Sequence, residues 1–75
     1  KADVIEEALA GLGSPDPATV VMVGDRSYDI TGGRQHGLRT IGVTWGYGTR
    51  EELEAAGASS IVTTFDDLLQ AIAAP

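Results

Sequence analysis

The sequence predicts an α/β chain that carries a parallel, three-stranded portion of a larger sheet. Helically spaced apolar residues alternate with short β-branched runs, in the order helix, strand, helix, strand, helix, strand, helix. That alternation belongs to parallel strands joined by right-handed crossovers. The clearest strand run, Thr19 to Val23, has no polar alternation, the pattern of a strand covered on both faces. A parallel sheet of three strands leaves an edge and parts of its faces uncovered, so the fold is expected to be incomplete without an upstream half.

The first helix is expected from Ala2 to Leu12, where Val4, Ile5, Ala8, Leu9 and Leu12 share one face and Asp3, Glu6 and Glu7 lie near the start. Gly13 can stop it, and the two prolines of Ser14-Pro15-Asp16-Pro17 forbid its continuation. Gly24 ends the strand run that follows. Asp25 to His36 is then a short helix anchored by Ile30 and closed by Gly37, although Gly32 and Gly33 each weaken it by about 1 kcal/mol relative to Ala. Arg39 to Thr44 is the second strand, and Trp45-Gly46-Tyr47-Gly48 is a glycine-rich loop. Thr49-Arg50-Glu51-Glu52 resembles a capping box with Thr49 as N-cap, opening a helix that ends at Gly57. Ile61 and Val62 form a third, very short strand, and Phe65 to Ile72 begins a terminal amphipathic helix.

Composition narrows the functional classes. The chain has 75 residues and a net charge of −6, and its five basic residues are scattered rather than clustered, which argues against a nucleic-acid surface. Zero cysteines exclude disulfides, zinc-thiolate sites and thiol catalysis. Hydrophobic residues make up 43% and mean hydropathy is +0.03, a globular balance. No apolar run approaches the roughly 20 residues that span a bilayer, and the start has no secretory signal, so the expected location is the cytoplasm. A domain of this size buries only about 60% of the surface its unfolded chain exposes, and stability is expected to be marginal. The chain starts at Lys1 rather than Met, almost inside a helical pattern, in keeping with an expected upstream portion.

In an open α/β sheet, ligands sit outside the carboxyl ends of the strands, here at Gly24-Asp25 and at Thr44 to Gly48. Asp25 stands at a strand tip with Asp29 four residues on, so one helical turn places both carboxylates on one side. Hard oxygen ligands in that position suit Mg²⁺, which keeps several waters and takes one or two carboxylates beside a substrate phosphate. The same residues also fit a structural role, with Asp25 capping the helix and Asp29 favouring its dipole. The residues alone leave both open. Arg26 is either an exposed helix-start arginine or a substrate contact. His36 beside Gly37 reads as a helix C-terminal residue, and Trp45 and Tyr47 read as packing residues rather than substrate platforms. Lys1 by itself reads as a solvated N-terminal lysine.

Gly24-Asp25-Arg26-Ser27-Tyr28-Asp29-Ile30, preceded by Val20 to Val23, resembles the fourth motif of haloacid-dehalogenase-type (HAD) hydrolases. Gly37-Leu38-Arg39-Thr40-Ile41-Gly42-Val43, then Trp45-Gly46-Tyr47-Gly48, Glu51-Glu52-Leu53 and Ala56-Gly57-Ala58, is similar to the phosphoglycolate-phosphatase-like branch. The resemblance runs over effectively the whole chain. It implies that residues 1–75 are the C-terminal part of one HAD-like core domain, with Mg²⁺ as cofactor and small phosphate monoesters as substrates. It further implies that Lys1 matches the third motif and neutralises phosphoryl charge, that Asp25 binds Mg²⁺ directly, and that Asp29 binds through water or orients the ligands.

The family's first motif, with its nucleophilic aspartate, and the Ser/Thr of its second motif have no match here. Since the family mechanism passes through an aspartyl-phosphate, the chain alone is expected to be inactive and to need the N-terminal half of the same fold. Without that half, the exposed sheet edge is expected to promote self-association. The competing expectation is a non-catalytic binding or regulatory module, either receiver-like or a degenerate HAD homologue. A receiver carries its lysine after its acids, and here the lysine comes first.

Overall fold

The computed structural model describes residues 4–74. Three strands, β1 (Val21–Gly24), β2 (Arg39–Val43) and β3 (Ser60–Val62), pair in the order β1-β2-β3. Both pairings are parallel, with Val21 opposite Arg39, Gly24 opposite Gly42 and Val43 opposite Val62. The helices are α1 (Val4–Gly11), α2 (Ser27–Gln35), α3 (Arg50–Ala56) and α4 (Phe65–Ala73). Element order and sheet direction are therefore those expected from the sequence.

The alternation of side chains along β2 assigns the two faces. Ile41 and Val43 turn to one face, where they join Val62 and Leu68 of α4 in the buried core, with Val21 and Ala71 packed against it. Thr40 and Gly42 turn to the other, where Gly42 lies against Leu53 of α3 and Gly33 of α2 lies against Thr40 and Met22. A side chain at position 33 would overlap that strand surface. The glycine that weakens α2 as an isolated helix is thus what lets it sit close to the sheet.

Sequence-local signals set most of the ends. Thr49 and Thr64 accept the N–H groups of Glu52 and Asp67 at 3.1 Å, capping α3 and α4. Gly13, Gly37 and Gly57 have φ between 75° and 89°, the left-handed conformation that follows a helix end. Arg39 donates to the carbonyls of Ala74 at 2.6 Å and Ile72 at 3.0 Å, satisfying acceptors that the end of α4 leaves open.

One expectation about β1 is corrected. The strand starts at Val21 rather than Thr19, because Asp16 caps a 3₁₀ turn over Pro17–Thr19 that uses the first residues of the apolar run. β1 lies at the sheet edge with Val23 40% exposed, the exposure expected of this strand without the upstream half. The residue pattern records burial that this stretch of chain does not itself provide. Phe65, Leu69 and Ile72 of α4 are also exposed. Among the described residues, no helix is long and apolar enough to cross a membrane.

Candidate functional site

Chain direction brings the ends of β1 and β2 to the same edge of the sheet, and the segments that follow them touch. β1 ends at Gly24; Asp25 leads to Arg26, the N-cap of α2. β2 ends at Val43, and residues 44–48 fold back over that turn. The Tyr47 N–H donates to Asp25 Oδ2 at 2.9 Å. A Cβ at Gly46 would collide with the Asp25 carboxylate, and one at Gly48 would collide with the Asp25 carbonyl oxygen. Both glycines are therefore required by close approach, and they fix the second loop against Asp25 through its backbone.

Asp29 occupies the third position of α2, and its Oδ2 accepts the Arg26 N–H at 3.2 Å. Its Cβ lies against Gly24, over the end of β1. Asp29 thus acts at the start of α2 as well as standing beside the turn. Asp25 does not cap the helix, because the cap position belongs to Arg26 and the Asp25 carboxylate is bonded to the neighbouring loop. That part of the structural expectation is corrected.

Arg26 Nε lies 3.0 Å from Glu52 Oε2, with the two side chains 40% and 26% exposed. The same oxygen accepts the Ser27 N–H at 2.6 Å. The Arg26 guanidinium also stands over the Tyr28 ring, 5.5 Å from its centroid. The Ser27 amide first, and then Arg26, hold the Glu52 carboxyl below its ordinary pKa; the Arg26 pKa is raised, chiefly by its hydrogen bond to Glu52.

The sequence pattern hid Glu52. In Thr49-Arg50-Glu51-Glu52 it looked like half of a local capping box, and the Thr49 half is present. The Glu52 carboxylate instead reaches the start of α2, 25 residues away in the chain. Trp45 and Tyr47 are 52% and 91% exposed, which corrects their reading as packing residues. Their loop is held by its amide and its glycines, which leaves the rings outside. His36 is the C-cap of α2, the helix-terminal position expected for it. Lys1 lies outside the described residues.

The donor set can be tested against a divalent cation. Asp25 and Asp29 each use Oδ2 for a backbone N–H, leaving Oδ1 of each without a hydrogen-bond partner among the described residues. Two anchored carboxylates at a strand end supply hard oxygen of the kind Mg²⁺ takes, with water filling most of its shell. Among the described residues no group of three or more His, Cys, Asp or Glu could hold a metal ion. The acids therefore fit part of a cation site.

The profile of the HAD-hydrolase-like family matches residues 1–71. The chain is 43% identical to the tyrosine-protein kinase PtkA of Mycobacterium tuberculosis, the match covering 96% of this chain and 25% of that protein. It is 45% identical over 56 residues to a phosphoglycolate phosphatase of Synechococcus elongatus, covering 75% of this chain and 26% of the relative. A crystal structure described as a predicted phosphatase from Clostridium acetobutylicum superposes with a TM-score of 0.87 at 42% identity, over 92% of this chain and 32% of that one. The chain thus spans about a quarter to a third of the length of these relatives.

Proposed function

The chain belongs to the HAD-hydrolase-like family, and from that premise we propose that it is the C-terminal, metal-bearing part of a Mg²⁺-dependent phosphate monoester hydrolase. Its three parallel strands match part of the core in solved structures of the family. Its relatives include a phosphatase and a kinase, which supports phosphoryl chemistry. The single observation that carries the proposal is the anchored pair Asp25 and Asp29, each with one carboxylate oxygen left over at the carboxyl end of the sheet.

In this reading Asp25 and Asp29 hold Mg²⁺, which, when bound, neutralises charge on the phosphoryl group. The Tyr47 N–H and the Arg26 N–H each hold one oxygen of a carboxylate, which leaves the other oxygen of each for the cation. Lys1 contributes a positive charge to the phosphoryl group. Arg26, whose Nε is committed to Glu52, offers its outer guanidinium nitrogens to the substrate phosphate. The substrate is a small phosphate monoester, with phosphoglycolate one member of the class.

The attacking carboxylate belongs to the N-terminal half of the same fold, and the 75-residue chain alone is inactive. Family membership leaves the receiver-like alternative without support. A degenerate homologue that binds phosphate without turnover is separated by experiment: the chain is joined to its N-terminal half and assayed for phosphate release with and without Mg²⁺. Mg²⁺-dependent release is expected from the joined protein and none from the chain alone. Release by the chain alone, or none from a folded joined protein, overturns the proposal.

A further inference from the structure

The turn between Asp25 and Asp29 contains a capping problem that its own residues do not solve. Helices usually satisfy their first N–H groups with an oxygen from the N-cap side chain. Here the N-cap is Arg26, whose side chain carries only donors. Asp29 reaches back to the Arg26 N–H, leaving the Ser27 N–H to be served from elsewhere. Glu52 of α3 serves it at 2.6 Å and holds Arg26 Nε at 3.0 Å with the same oxygen. Both partners lie inside the interval between the two candidate cation ligands. The contact is charge-assisted, and Glu52 is itself fixed at the start of α3, where its N–H donates to Thr49.

We propose that Glu52 is a positioning residue for the cation-holding turn, acting through Ser27 and Arg26. The inference rests on the reading of Asp25 and Asp29 as Mg²⁺ ligands. Glu52 ties the position of α3 to the separation of the two carboxylates, so its loss loosens that separation while leaving both acids in place. It also fixes Arg26 by one edge, so the same loss frees the guanidinium that faces substrate. Partners of this kind, one step removed from the metal, typically alter metal affinity or activity by about 10- to 100-fold when removed.

The test uses the joined protein and reads Mg²⁺ binding by calorimetry beside turnover as Mg²⁺ is titrated, with the shifts below expected in both. Glu52→Ala is expected to raise the Mg²⁺ concentration for half-maximal activity by about 10-fold. Glu52→Gln keeps an acceptor oxygen but loses the charge, and its half-saturation is expected between wild type and Glu52→Ala, at about 3-fold above wild type. Arg34→Ala removes another tie between α2 and α3, the 3.0 Å bond to the Ala56 carbonyl at the far end of the helix. It is expected to lower the melting midpoint without moving the Mg²⁺ titration.

If Glu52→Ala does not fold, Glu52→Gln decides the matter. A wild-type Mg²⁺ titration for the folded glutamine variant overturns the inference, as does an equal Mg²⁺ shift in Arg34→Ala. Asp25→Asn in the same assay separates the two layers. If it leaves the titration unchanged, the metal reading itself has failed; if it abolishes Mg²⁺ dependence while both Glu52 variants behave as wild type, only the role of Glu52 has failed.

Discussion

The Tyr47 backbone N–H donates to Asp25 Oδ2 at 2.9 Å, so the loop after β2 holds one oxygen of the acid at the tip of β1. The two residues are 22 positions apart, and parallel pairing of β1 with β2 is what brings them together. The contact leaves Tyr47 91% exposed, because the backbone and the flanking glycines make the approach.

Gly48→Ala is the sharpest test of that close approach. The added Cβ would overlap the Asp25 carbonyl oxygen, a backbone atom that cannot move aside cheaply. Destabilisation of about 1–3 kcal/mol is expected from such overpacking, together with weaker Mg²⁺ dependence in the joined protein. A denaturant melt and a Mg²⁺ titration check both. An unchanged midpoint with an unchanged titration would show that the loop does not press on Asp25.

Glu52 predicts a pH dependence of stability. Its carboxyl is held below the ordinary value of 4.5 by the Ser27 amide and Arg26, so the folded state favours the ionised form. The contribution is complete above 4.5 and is lost as pH falls through the lowered folded value. Glu52→Gln should therefore lose less stability than wild type when pH is brought from neutral to well below 4.5, as read by urea midpoints. Parallel losses in the two proteins would contradict the assignment.

The fold was largely legible because its signals are local. Thr49, Gly13, Gly37 and Gly57 mark ends through their own backbone geometry, and the runs at Val21 and Ile41 mark strands. Asp25 and Asp29 were legible as candidates from their spacing beside Gly24. Glu52 was not, because its partners are set by how α3 packs beside α2, and its neighbour Thr49 offered a sufficient local explanation. Trp45 and Tyr47 misled for a related reason. Aromatic rings normally carry burial, whereas here Gly46 and Gly48 make the contact.

The free edge of β1 predicts association of the isolated chain. Val23 is 40% exposed on an edge strand, and Phe65, Leu69 and Ile72 expose a neighbouring apolar surface on α4. Unpaired strand edges promote pairing between copies. Sedimentation of the 75-residue chain should show mass rising with concentration, and joining the N-terminal half should abolish the rise. A strictly monomeric isolated chain with a sharp, concentration-independent melt would contradict this.

The metal reading and a reading in which Asp25 only holds the Tyr47 loop diverge most at this residue. The measurement is Mg²⁺-dependent phosphate release by the joined protein, comparing wild type with a folded Asp25→Asn variant. Loss of one charge-stabilising contact costs on the order of 10² to 10³ in rate, so turnover should fall by at least that range while the melt changes little. Lys1→Ala is expected to reduce turnover strongly in the same assay. If Asn at position 25 supports the same rate at the same Mg²⁺ concentration, Asp25 holds the Tyr47 loop and no metal, and the account is wrong at its centre.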